Sequence, residues 1–330
     1  MVEFGVEFVP RDLYWKTTYY AVQAEKRGFK NIWITDHFNN RNLYVSLTVI
    51  ATYTNHIKLG PGVTNPYLHH PATTAQGVAS LNEIAPGRVV CGIGVGDRTT
   101  LEMLGFELKE PLRAIRESVE LVRKMLSGET VQYQGARFNV KGGRFNFKVK
   151  DRIPIYIGAQ GPKMLQLASK IGDGVLINAS HPLDVEEAIK HIRLGVKESG
   201  KDLESLDIAA YTSISIDRDK KKAEKAVKPV VAYIVAGSPR LILERHSIPA
   251  QLAEEIRNDI MKGKWGEAFA KVNPEMVEAF SICGTPETCV EKIQALTKLG
   301  VTQVVAGSPL GLNVRESIDL LGSKVLPAFM

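Results

Sequence analysis

The sequence predicts an α/β fold, a (β/α)8 TIM barrel, and three observations lead there. Eight short runs rich in β-branched residues, most of them leading into Gly, Asn or Asp, recur along the chain. Helical periodicity follows most of them, which is the signature of repeated βα units around a parallel sheet. The residues just past the runs are unusually polar or glycine-rich, as expected where strand ends carry the reactive groups of a barrel. A doubly wound open sheet is the competing architecture, but eight units are the number that closes a barrel.

In chain order, the first strand is expected over Glu3–Phe8, where Phe4, Val6 and Phe8 alternate with Glu3, Gly5 and Glu7. A period of two puts the two sets on opposite faces. The helical stretch Tyr14–Gly28 follows, then the apolar run Asn31–Thr35 and a helix over Leu43–Thr54. Ile57–Val63 precedes a helix over Ala72–Ile84, and Arg88–Ile93 precedes one over Pro111–Ser127, with proline at its start as helices favour. The fifth and sixth units pair Ile153–Ile157 with Lys163–Ile171 and Gly174–Asn178 with Val185–Ser199. Asp207–Ile216 is the seventh strand; a helix over Pro286–Leu299 leads to the eighth strand, Val301–Ala306, and a last helix over Arg315–Val325. Two gaps are too long for simple connections. Residues 128–151 read as a small hairpin between the fourth and fifth units, and residues 218–282 as extra helices after the seventh strand. Insertions belong to loops, where function also gathers. The chain, 1–330, is read as one domain carrying both insertions.

With 330 residues, 44% hydrophobic and 24% charged, the chain can bury a large core, which argues against disorder. The N-terminus lacks the basic and long apolar regions of a signal peptide, and no later run reaches the roughly 18 apolar residues of a membrane span. A cytoplasmic protein with no membrane association is expected. Cys91, Cys283 and Cys289 show no CxxC spacing, so buried thiols are expected and neither disulfides nor a metal site. The net charge of +6 suits an anionic ligand. Its cations are mixed with acids, as in the run from Asp217 to Lys225, which reads as a solvated helix start; no nucleic-acid partner is expected.

Glu7 shares a face with Glu3 and Gly5; if the phenylalanine face packs on helices, Glu7 points into the barrel mouth. There an apolar surrounding would raise its pKa towards that of a general acid, and a salt bridge to a neighbouring strand is the alternative. Asp36-His37 follows a strand and offers polar groups to a heterocycle, or simply makes a turn. Gly60-Pro-Gly-Val-Thr-Asn-Pro66 suits a bulge that presents backbone to a flat ligand, or a tight loop. Gly92-Ile-Gly-Val-Gly-Asp97 fails the dinucleotide fingerprint because Asp97 stands where its third glycine would fall. Its glycines instead allow close approach of a ligand, with Asp97 able to bond a polyol chain. Gly158-Ala-Gln-Gly-Pro-Lys163 ends a strand and opens a helix, and free N–H groups there could hold a phosphate. His69-His70 are left as surface or substrate contacts, since adjacent loop histidines seldom share an ion.

Taken together, FGVEFVP, WITDHFNNRN, IKLGPGVTNPY, GIGVGD, IPIYIGAQGP, GVLINAS, DIAAYTSISID, ERH, EAFSICGTPE and GVTQVVAGSP resemble the methylenetetrahydromethanopterin reductases of the bacterial-luciferase-like superfamily from end to end. Each motif is weak alone, but their common order is specific. The resemblance implies a homodimeric or homotetrameric barrel that binds coenzyme F420, a deazaflavin, and reversibly reduces a methylene-tetrahydromethanopterin substrate to its methyl form. It further implies a cis peptide at Gly62-Val63 behind the deazaflavin ring with Thr64 beside it. By the same resemblance Asp36, His37, Gly96 and Asp97 would line the ring and its side chain, Ala159, Gln160 and Gly161 would take its phosphate, and Ile177 and Asn178 would lie near. Glu7 would be the catalytic acid. Phe38, Val95, Arg98 and Leu312 depart from the residues expected of the family at those places. Another luciferase-like enzyme using F420 or flavin mononucleotide, and a non-enzymatic flavin-binding protein, are the alternatives.

Overall fold

The computed structural model describes residues 2–330. Its sheet strands run β1 (Glu3–Phe8), β2 (Asn31–Ile34), β3 (Lys58–Pro61), β4 (Cys91–Ile93), β5 (Val131–Gln134), β6 (Asn139–Gly143), β7 (Ile155–Ala159), β8 (Gly174–Asn178), β9 (Asp207–Ile216), β10 (Ile282–Gly284) and β11 (Gln303–Leu310). Eight of these lie side by side in the order β3-β2-β1-β11-β9-β8-β7-β4. Every one of those pairings is parallel. The two ends of that row meet through the parallel bridges Leu59–Val89 and Thr64–Ile93, which close the sheet into the expected TIM barrel.

The helices are α1 (Tyr14–Lys26), α2 (Leu43–Tyr53), α3 (Pro71–Ile84), α4 (Arg98–Met103), α5 (Pro111–Leu126), α6 (Pro162–Ile171), α7 (Pro182–Ser199), α8 (Lys220–Gly237), α9 (Arg240–Arg245), α10 (Ala250–Met261), α11 (Trp265–Ala270), α12 (Pro274–Phe280), α13 (Pro286–Thr297) and α14 (Val314–Leu320). Proline stands in the first turn of α3, α5, α6, α7, α12 and α13, where its missing N–H costs nothing. Side-chain caps from Asn42, Asp219, Asn273, Thr285 and Asn313 start α2, α8, α12, α13 and α14.

Alternation along β1 divides two cores. Phe4, Val6 and Phe8 join the large layer between barrel and helices. Inside the barrel a smaller cluster of Trp33, Val90, Tyr156, Leu176, Ala209 and Val305 fills the axis. Trp33 takes most of that space, so its neighbours are small: a Cβ on Gly5 would lie 3.2 Å from the Trp33 indole nitrogen. Its indole N–H donates to Gln303 Oε1 at 3.1 Å; Gln303 Nε2 and the Tyr156 hydroxyl then donate to Asp207 Oδ2 at 2.7 and 2.8 Å. Each of these polar groups therefore keeps a partner on leaving water.

The hairpin foreseen between the fourth and fifth units is β5–β6, an antiparallel pair. Buried Glu117 on α5 anchors its tip by accepting N–H groups of Ala136, Arg137 and Phe138 at 2.9–3.1 Å. The later insertion forms α8–α12 around its own apolar cluster, which includes Val227, Val231, Ile256, Met276 and Phe280.

Several elements differ from the sequence reading. β10, unexpected, extends the sheet by pairing with the last residues of β9, whose ten residues outrun the barrel wall. α4 was also unforeseen and forms because Asp97 caps it, its carboxylate accepting Thr100 N–H at 2.7 Å. The last barrel strand begins two residues later than expected, at Gln303, and runs four residues further, through a register break between Gly307 and Leu310. The final helix ends at Leu320 and continues as a π turn, Leu321–Val325.

Candidate active site

β1 is the strand that matters most at the mouth of the barrel. Its pleat turns Glu7 inward, opposite to Phe8, and leaves the residue 8% exposed. Ser308 donates its hydroxyl to Glu7 Oε1 at 3.0 Å. Burial pushes the Glu7 carboxyl up to about 7, against the lowering influence of hydrogen bonds from the Ser308 side chain and backbone and of the Arg11 charge. A carboxyl with this pKa exchanges a proton readily near neutrality.

Tyr211 of β9 lies beside both Glu7 and the segment that follows β3. The Tyr211 hydroxyl donates to the Gly62 carbonyl at 2.9 Å, while burial and then the neighbouring Glu7 charge hold its phenol protonated, well above its ordinary range. The Gly62-Val63 peptide is cis, as the resemblance implied. A Cβ on Gly62 would lie 2.6 Å from Trp33 Cβ and 2.8 Å from the Tyr211 hydroxyl, so glycine is required. Val63 rests on glycines: a Cβ on Gly94 would come within 2.6 Å of its Cγ2 and one on Gly158 within 3.4 Å of its Cγ1. The result is a smooth wall of backbone and one branched side chain.

Around this wall the remaining residues fall into place. Asp36 Oδ2 accepts the Thr64 hydroxyl at 2.7 Å and pairs with His69 Nε2 at 3.0 Å. The hydrogen bond to Asp36 raises the pKa of His69, which the sequence reads as a surface or substrate contact. Burial lowers that of His37, only partly opposed by Asp97 and Asp36, which favours a neutral imidazole. Gly96 has a positive φ of 80° that its own lack of a side chain permits. Gly161 caps α6, and a Cβ there would meet nothing within 4 Å. The N–H groups opening that ten-residue helix point to open space beside Gln160.

Ala159 and Ile177 behave differently. Their side chains are buried in the layer between barrel and helices, because the strand period turns Gly158, Leu176 and Asn178 the other way. Only their backbone can serve the mouth. Ser308 and Tyr211 were missed as site residues. Tyr211 was visible as a strand-end aromatic, whereas Ser308 is turned to Glu7 by the irregular end of β11, which no periodicity reveals.

Comparison with known proteins follows the same lines. The profile of the luciferase-like monooxygenase family matches residues 14–303. The chain is 49% identical over 330 residues to the 5,10-methylenetetrahydromethanopterin reductase of Archaeoglobus fulgidus, covering 99% of each. It is 45% identical to the enzyme of that name from Methanopyrus kandleri, again covering 99% of each. Among solved structures, the coenzyme F420-dependent tetrahydromethanopterin reductase of Methanopyrus kandleri superposes with a TM-score of 0.93 at 44% identity, over 100% of this chain and 99% of that one.

Proposed function

The chain belongs to the luciferase-like family and, within it, to the 5,10-methylenetetrahydromethanopterin reductases, and from that premise we propose that it transfers hydride between coenzyme F420 and 5,10-methylenetetrahydromethanopterin, with Glu7 as the acid. The residues present suit a flat coenzyme with an anionic tail. The glycine-backed wall at Gly62-Val63 would lie against the ring, and Asp36, His37, Thr64, Gly96, Asp97 and Asn178 would surround it. The free N–H groups at the start of α6, with Gln160 and Gly161, would take a phosphate. When bound, the deazaflavin supplies two electrons as hydride.

The substrate's methylene carbon bridges two nitrogens. It accepts hydride only after one C–N bond opens and the departing nitrogen gains a proton, leaving an electrophilic iminium carbon. Glu7 donates that proton; in the oxidative direction its carboxylate receives it. Tyr211 neighbours both the wall and the acid, and holding coenzyme and substrate together there would favour the reaction over collision in solution. The observation that carries this reading is a carboxyl raised to about 7 by burial and aimed into the mouth beside that wall.

The same reading takes the protein as one domain, acting in the cytoplasm as a homodimer or homotetramer. Among the described residues no helix is long and apolar enough to cross a membrane. The test is direct: purified protein, reduced F420 and methylenetetrahydromethanopterin are mixed, and coenzyme oxidation is followed by its visible absorbance. Oxidation that depends on the pterin is expected. Its absence, or tighter binding of flavin mononucleotide than of F420, would overturn the assignment.

A further inference from the structure

Ser308 stands at the irregular end of β11, and its placement is more constrained than that of a loop serine. The register with β1 pairs Val6 with Ala306, so the next residue, Gly307, lies alongside Glu7. A Cβ on Gly307 would be 2.8 Å from Glu7 Oε2 and would also strike the Thr212 carbonyl, so the glycine opens the space that the carboxyl occupies. Immediately after it β11 loses its register with β9 until Leu310, whose φ is 67°. On the β9 side the break is fastened: Ser213 donates its hydroxyl to the Ser308 carbonyl at 2.8 Å, and its own N–H donates to Ser180 Oγ at 3.0 Å. Ser213 of β9, itself braced by Ser180 beyond β8, thus holds the Ser308 backbone while its hydroxyl reaches Glu7 Oε1.

We infer that Ser308 is a positioning residue for proton transfer: its hydroxyl donates to Glu7 Oε1 and holds the carboxyl in the orientation from which its proton passes to and from the substrate. A protonated carboxyl has one O–H donor and one carbonyl-like acceptor. With the Ser308 hydroxyl on Oε1 and its backbone N–H also donating to the carboxyl, the group is held in one orientation. The inference rests on the reductase reading of the site, because it is the substrate nitrogen that takes this proton.

The groups facing Glu7 are few. Arg11 follows on its own chain segment, Tyr211 faces it from β9, Ser308 from β11, and the residue paired with it on β2 is Trp33, which does not titrate. The Ser308 hydroxyl is therefore the side-chain hydrogen-bond donor among them whose removal changes no charge, and the Ser308 N–H remains in place when it is removed. Its hydroxyl favours the ionised carboxylate, so its loss raises the Glu7 pKa.

The test compares Ser308→Ala and Ser308→Thr with the unaltered protein in two measurements. The first is an infrared titration of the protonated-carboxyl stretch, assigned to Glu7 by its disappearance in Glu7→Gln. An upward shift of about one pH unit is expected in Ser308→Ala, with return towards the native value in Ser308→Thr, as for loss of a charge-assisted hydrogen bond. The second is kcat for methylenetetrahydromethanopterin reduction across pH. Its alkaline limb moves up by the same amount, and kcat on the acidic plateau falls about tenfold while F420 affinity holds. A carboxyl titration unmoved in folded Ser308→Ala overturns the positioning role. A shifted titration with no turnover by the unaltered protein overturns the reductase reading and the proton destination with it.

Discussion

Replacing Glu7 by Gln should make the protein more stable and nearly inactive at once. In the folded chain the carboxyl is raised from its ordinary 4.5 to about 7, and burial is the main cause. At about 1.4 kcal/mol per pH unit, that displacement corresponds to roughly 3 kcal/mol between the two protonation states. For a raised pKa the stabilising contribution is complete below 4.5 and is lost as pH rises through about 7. At pH 8 the native protein therefore holds a buried carboxylate, whereas the glutamine variant holds a neutral amide that still accepts from Ser308. Chemical denaturation of both proteins at pH 5 and pH 8 isolates this one group, because every other titrating residue is common to the two. The variant is expected to gain about 2–3 kcal/mol on the native protein over that interval. Turnover at neutral pH should fall by roughly two to four orders of magnitude, the range for loss of a general acid, with F420 binding retained. Stability curves that stay parallel from pH 5 to pH 8 would refute the buried-acid argument. Near-native turnover would remove Glu7 from the chemistry.

Two further perturbations probe the supports of the site. Gly62→Ala places a methyl group against Trp33 and the Tyr211 hydroxyl, and should cost about 1–3 kcal/mol by overpacking and weaken F420 binding; a fluorescence titration with unchanged affinity would show that the wall yields. Asp184 on α7 pairs with Arg245 at 2.5 Å and with His246 at 2.7 Å, tying the inserted helices to the barrel. Although burial opposes it, the hydrogen bonds from His246 and Arg245 hold the Asp184 carboxyl below its ordinary range, so its contribution is present at neutral pH and lost on acidification. Asp184→Ala should cost about 3 kcal/mol at pH 7 by leaving the buried His246 ring and the half-buried Arg245 without their partner, and urea unfolding that shows no loss would contradict this.

Much of the barrel was legible because its code is local. Alternation in β1 separated Glu7 from the phenylalanines, and Gly-Pro-Gly announced irregular backbone at the end of β3, where the Gly62-Val63 peptide is cis. The coenzyme came from resemblance, since no composition encodes a deazaflavin. What escaped depends on contacts between distant segments. Ser308 meets Glu7 across 301 positions of sequence, through a strand that breaks its own register. Ile177 and Ala159 showed the reverse difficulty: neighbours of the right residues in sequence, they face the helices. His69 could be matched to Asp36 only once two loops were seen side by side.

Trp33 and Tyr156, edge to face with ring centroids 5.1 Å apart, stopper the barrel axis below the mouth. Through the barrel axis the site is therefore closed, and guests would enter from the mouth. Whatever reaches Glu7 would depart by the way it came, and when two planar molecules must share the site, the one lying against the wall would be shut in by the one above it. Traffic order would then follow from the architecture, the coenzyme entering first and leaving last.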